Sequence, residues 1–138
     1  MTALTSNNVF HDATSAQAGL TKGTIVLTLR GEVAVEDLRE GDRIITRDVG
    51  AQPLRAIEQS TAKSALIQKG SLGANMPERD TRVAAEQAIL LRGEKTSLVS
   101  VSSLAGEVRE TLEKTTLYRL IFDRNHVIYA NGAELTTG

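Results

Sequence analysis

The sequence predicts a mostly β domain built from many short strands. Three observations carry this. Short apolar runs are separated at close intervals by Gly, Pro, Asn and Asp turns. Period-two alternation recurs in the clearest of those runs. The length of 138 residues is that of one domain with one core.

The elements follow in order. Residues 1–18 (MTALTSNNVFHDATSAQA) are small and polar, with Leu4, Val9 and Phe10 the sizeable apolar groups. They are expected to form a flexible arm, leaving 19–138 as the folded domain. In Thr24–Arg30, Ile25, Leu27 and Leu29 share one face; Val26, Thr28 and Arg30 share the other. Alternation predicts a half-buried strand there, with Gly31 as its turn. Val33–Leu38 leads through Gly41 to a second strand, Arg43–Arg47, stopped by Asp48-Val49-Gly50. Pro53 is expected to start a strand running to Ile57. Leu66 and Ile67 mark a further short piece, and Lys69–Pro77 reads as loop. Near the end, Thr116–Phe122 and His126–Ala130 flank Asp123-Arg124-Asn125 and predict a hairpin; Asn131-Gly132 is a turn.

Two segments pull toward helix. Asp80–Arg92 (DTRVAAEQAILLR) has helical propensity, with Asp80 as a cap and Gly93 as a stop. Ser102–Lys114 places Leu104, Val108 and Leu112 at helical spacing, so one short helix is expected around 102–114.

Composition excludes several function classes. There is no Cys, which removes disulfides, zinc–thiolate sites and cysteine nucleophiles. His11 and His126 are the only histidines, too few for an all-histidine metal cage. The net charge of -1 gives no drive toward nucleic acid or anionic membranes. Aromatic content of 3% without Trp argues against a stacking platform for bases or sugars. No apolar stretch approaches the roughly 20 residues that span a bilayer. The first residues lack the basic start and apolar run of a signal peptide. The chain is thus expected in the cytoplasm, or exported without an N-terminal signal peptide, with no cofactor, nucleic acid or membrane insertion.

Few constellations can carry chemistry. Lys69, Gly70 and Gly73 do not have phosphate-loop spacing, and no Gly-x-Ser-x-Gly elbow is present. Glu36-Asp37, Glu40-Asp42 and Glu78-Asp80 lie beside Arg39, Arg43 and Arg79 and read as locally paired surface charge. Asp42 or Asp48 stays open as a Ca²⁺ ligand, although EF-hand spacing is absent. His126, after a turn and opening a strand, is the one candidate general base.

The run Gly23-Thr24 to Asp48 resembles the opening of the Hedgehog/intein (Hint) domain family. Its Gly-Thr precedes a strand, and Glu36-Asp37-Leu38, Gly41-Asp42 and a second strand ending at Asp48 follow. Gln52–Ile57, Gly70–Gly73 with Pro77–Asp80, Leu120–His126 and Ala130–Ala133 are similar to later blocks of bacterial members, in the same order over about residues 19–138. The resemblance implies a compact β fold and autoprocessing. A nucleophile at the first position attacks the preceding carbonyl in an N-to-S or N-to-O acyl shift, and a central histidine helps to break the peptide bond.

Those functional positions are altered here. The nucleophile position is Gly19, in Gly19-Leu20-Thr21-Lys22-Gly23-Thr24. The central motif falls at Ala84-Ala85-Glu86-Gln87, placing Gln87 at the histidine position. The chain ends Leu135-Thr136-Thr137-Gly138, without the His-Asn pair used by inteins. The resemblance therefore implies a degenerate site with Gly19, Thr21, Thr24, Gln87, Asn125 and His126 as its vestigial candidates. It also favours turn and strand over helix at Ala88–Leu91, because long-range pairing overrides local propensity. Three readings follow. One is a silent Hint-like module serving an unknown protein partner or fused domains. The second is an active self-cleaving domain with Thr21 or Thr24 as nucleophile and His126 as acid or base. The third is an unrelated β domain lacking a closing hairpin beside the first strand.

Overall fold

The computed structural model describes residues 18–91, 97–100 and 108–138. The described chain forms β1 (Ile25–Thr28), β2 (Gly31–Ala34), β3 (Arg43–Thr46), β4 (Gly50–Pro53), β5 (Ala56–Ile67), β6 (Thr81–Ala84), β7 (Ala88–Leu91), β8 (Ser97–Ser100), β9 (Val108–Ile121), β10 (Val127–Ala130) and β11 (Ala133–Thr136). Val35–Asp37 is one turn of 3-10 helix. The expected arm falls almost wholly in residues 1–17, outside the described residues; Ala18, its last residue, is buried.

One sheet runs β2-β1-β3-β10-β11-β7-β8, with β4 on β3 and a further β1–β10 pairing. The other runs β6-β5-β9. Their shared core includes Val26, Ile44, Ile67, Val83, Ile128 and Leu135, all 2% exposed or less. Burying each such side chain stabilises by about 1.5–3 kcal/mol.

β1 is a half-buried strand as expected, and the face that carries the threonines is the one turned inward. Thr24, Val26 and Thr28 are buried, whereas Ile25 and Leu27 are half-buried and Leu29 is 60% exposed. The Thr28 hydroxyl explains part of this. It donates to Gly31 O at 2.7 Å and accepts from the Arg30 N–H, closing the β1–β2 turn. Thr46 repeats the device, donating to Gly50 O and accepting from Val49 N–H. A hydroxyl spent on its own turn is inexpensive to bury.

Pro53 ends a strand instead of starting one. It lies opposite Arg43 on β4, an edge strand where a missing N–H leaves no ladder bond unmade. Leu54, 1% exposed, bonds back to Gly41 and Asp42. The expected pieces at Ala56-Ile57 and Leu66-Ile67 are the two ends of one twelve-residue strand. Its exposed middle, Glu58–Thr61, is held by register with β9 from Ala56↔Ile121 to Ile67↔Val108. That pairing also overturns the helix over 108–114, which is β9; residues 102–107 lie outside the described residues.

The strand expectation for Ala88–Leu91 holds: β6 and β7 flank a turn, and Ile89 pairs with Leu135. The hairpin expected between 116–122 and 126–130 does not form. β9 pairs with β5, while β10 pairs with β11, β1 and β3. The turn at 123–125 carries the chain from one sheet to the other. The closing hairpin is β10–β11, with Asn131 (φ 48) and Gly132 (φ 82) between the paired Ala130 and Ala133. Positive φ at both central residues is the demand of a two-residue hairpin turn. This hairpin lies beside β1 through Val26↔Ala130.

Candidate functional site

Gly19 is threaded between two strands. Leu20 exchanges backbone bonds with Tyr118 at 2.9 and 2.8 Å and also bridges to Val83. The Gly19 carbonyl accepts from Ala84 N–H at 2.9 Å. A Cβ placed on Gly19 would lie 2.9 Å from Leu117 Cβ. Leu117 therefore occupies the space into which a side chain at position 19 would project.

Gln87 reaches the same place from the turn after β6. That turn is closed by Gln87 N–H to Ala84 O at 3.0 Å. The Gln87 side chain is buried, at 1% exposure. Its Oε1 accepts the Gly19 N–H at 2.9 Å. Its Nε2 donates to Thr136 O at 2.7 Å and Ala88 O at 2.9 Å. One acceptor and both donors of the amide are thus engaged. The surrounding cleft, lined also by Ala18, Leu20, Tyr118 and Thr137, has a volume of about 10 Å³, the limit for one water.

His126 sits at the other end of the same terminal segment. Its backbone N–H donates to Thr137 Oγ1 at 3.0 Å, and Thr137 N–H returns to His126 O. Its ring is buried, edge-on to Phe122 with centroids 5.5 Å apart. Nδ1 lies 2.8 Å from Asp48 Oδ2. Partial burial raises the Asp48 carboxyl, but hydrogen bonds from His126 and the Val127 N–H outweigh it and hold the carboxyl below its ordinary value. Gln87 bonds Thr136 and His126 bonds Thr137, so the two groups anchor adjacent residues. Asn125 is exposed in the turn, its side chain beside Gly138.

Thr21 and Thr24 face elsewhere. The Thr21 hydroxyl donates to Arg82 O at 2.6 Å. Both threonines line a cleft of about 600 Å³ with Lys22, Arg79, Thr81 and Asn131; neither Gln87 nor His126 lines it. Asn131 ties this end together, accepting from Ile25 N–H and donating to Thr81 Oγ1.

The two carboxylates kept open for Ca²⁺ are engaged within the chain. Asp42 accepts from Arg30 at 2.9 Å and from the Arg39 N–H, and the Arg30 bond holds its carboxyl low. Asp48 is held by His126 and Val127. Among the described residues no group of three or more His, Asp and Glu converges.

The sequence singled out Gly19 and Gln87 separately, and the structure brings them together through one hydrogen bond. The motifs gave no sign of Leu117 as the group filling the space, of Thr136 as the anchor of Gln87, or of Asp48 as the partner of His126. Each of these contacts spans 49 or more residues, apart from any local signal.

A family model described as the Hint domain matches residues 18–137. No curated protein matches the chain in sequence. Among solved structures, the gp41-1 intein is 17% identical with a TM-score of 0.65, covering 86% of this chain and 97% of that one. A bacterial intein-like domain from Clostridium thermocellum is 14% identical with a TM-score of 0.67, covering 88% and 97%. A DnaB intein from Synechocystis sp. PCC 6803 is 13% identical with a TM-score of 0.62, covering 88% and 99%.

Proposed function

The chain belongs to the Hint domain family, a family of the self-processing type, and we propose that it is a silent member. In this reading the fold is kept as a binding or structural module for a protein partner or fused domains, and self-cleavage is lost. One observation carries the reading: the Gly19 N–H bonds directly to Gln87 Oε1 at 2.9 Å in a buried, nearly filled cleft.

The chemistry supports it step by step. An acyl shift at position 19 needs a side-chain nucleophile, and glycine has none. Breaking the peptide bond needs a group that exchanges a proton near neutral pH, and a carboxamide does not. Gln87 does keep the accept-and-donate pattern that a neutral imidazole could make at this place, without titrating. The packing of Leu117 against Gly19 closes the space a nucleophile would use.

The alternative, a threonine nucleophile served by His126, finds no support in the geometry. The Thr21 hydroxyl donates to Arg82 O, His126 Nδ1 faces Asp48, and Thr21 and Thr24 line a cleft that His126 does not line. The test is a fusion of residues 1–138 between two folded proteins, incubated with and without thiol and followed by electrophoresis. The fusion is expected to stay whole in wild type, Thr24→Ala and His126→Ala alike. A cleaved band whose formation slows in either variant would restore the threonine mechanism and refute silence.

A further inference from the structure

β1 turns an apolar stripe toward the outside of the larger sheet. Ile25 and Leu27 are half-buried and Leu29 is 60% exposed. Register brings neighbours to the same face. Leu27 stands opposite Glu32 on β2, and the Val26↔Ala130 pair sets Tyr129 of β10 beside Leu27. Ile25, Leu27, Tyr129 and Gly132 line a cavity of about 150 Å³ together with the carboxylates of Glu32 and Glu78.

The lining carries two carboxylates. Among the described residues neither the Glu32 nor the Glu78 carboxylate has a hydrogen-bond or ion-pair partner. Glu78 is set in place by its N–H bonding Asn131 O at 2.8 Å. Its side chain lies over Gly132, where a Cβ would come 2.9 Å from Oε2. The turn glycine therefore makes room for this carboxylate as well as for the positive φ.

We propose that this cavity receives a lysine or arginine side chain carried by an apolar segment of a partner protein. Size decides against a small molecule: about 150 Å³ is well below the roughly 300–1,000 Å³ of ligand pockets, and suits one side chain. Two carboxylates are too few for a calcium ion, which takes about six to eight oxygens. A long basic side chain fits both halves of the site. Its aliphatic stem lies along Ile25 and Leu27, its cation meets Glu32, Glu78 and the face of Tyr129, and its apolar neighbour covers Leu29. Residues 1–17 contain neither Lys nor Arg, so that segment cannot supply the group. The site stands apart from the Gly19–Gln87 cleft, and its success or failure is independent of silence there.

The probe is a capped tripeptide with lysine between two leucines, titrated into the isotope-labelled chain and followed by NMR. Saturable shifts at Leu27, Tyr129 and Gly132 are expected. Replacing the lysine by glutamine, or making Glu32→Gln with Glu78→Gln, is expected to weaken binding by about five- to tenfold. Equal affinity for both peptides, or no saturable shift at about 10 mM peptide, would overturn the proposal. Sedimentation at the same protein concentrations addresses the competing occupant: a dimer dissolved by Tyr129→Ser would assign the face to a second copy and overturn it too.

Discussion

Two anchors hold the last strand, and they are built on opposite principles. Gln87 binds Thr136 and Gly19 through a neutral, fully engaged amide at 1% exposure. His126 binds the neighbouring Thr137 through its backbone while its ring meets Asp48, whose side chain is 40% exposed. The first is a sealed joint that depends on shape and hydrogen-bond matching. The second is ionisable at its rim and belongs to the turn between β3 and β4. The contrast teaches where chemistry has room. The titratable pair sits at the more open joint, and the closed joint between Gly19 and Gln87 is made by groups that do not titrate.

The comparison breaks most sharply at Gln87. Gln87→Leu leaves the buried Gly19 N–H and Thr136 O unpaired, and is expected to cost about 2–4 kcal/mol in urea denaturation. Gln87→His keeps an acceptor and a donor and should lose less. A loss equal to that of Leu would show that the amide's bonds do not matter.

Next in size is Gly19→Ala. The added Cβ meets Leu117 Cβ at 2.9 Å, within a strand that cannot swing away. Overpacking of this kind costs about 1–3 kcal/mol. The cost should shrink in a Leu117→Gly background; an unchanged cost in the double-mutant cycle would remove Leu117 from the account.

The ionic anchor is weaker and pH-dependent. Asp48 has a folded-state pKa below its ordinary 3.8. A depressed carboxyl contributes stability that is complete above the unfolded value and is lost as pH falls through the folded one. Acid unfolding of the wild type should therefore show a component below 3.8 that Asp48→Asn lacks. With the side chain 40% exposed, its size should stay below about 1 kcal/mol. Smallest is Arg55→Ala. Its two bonds to Asp123, at 3.0 Å each, lie at an exposed surface, and no change in the denaturation midpoint is expected.

Much of the fold could be read in the chain because turn chemistry is local. Gly31, Gly50 and Asn131-Gly132 lie at turns where the sequence placed a turn or a strand stop. The helical propensity of 80–92 yielded to pairing of Ile89 with Leu135. What could not be read was which strand pairs with which. The turn at 123–125 looks like a hairpin loop, yet Ile121 pairs with Ala56, 65 residues back. Which face of β1 turns inward was also not legible: the Thr28 hydroxyl is satisfied by a turn atom that alternation does not reveal. For the candidate site, motif order singled out Gly19 and Gln87 one at a time. Their hydrogen bond across 68 residues, and the packing of Leu117 against Gly19, are properties of tertiary packing alone.

The claim of silence is tested most directly by the intact mass of the wild-type fusion after prolonged incubation with hydroxylamine, which traps any ester formed by an acyl shift. A single mass equal to the uncleaved fusion is the result this structure leads to. Fragments divided at the bond before Gly19, or beside Thr21 or Thr24, would contradict it.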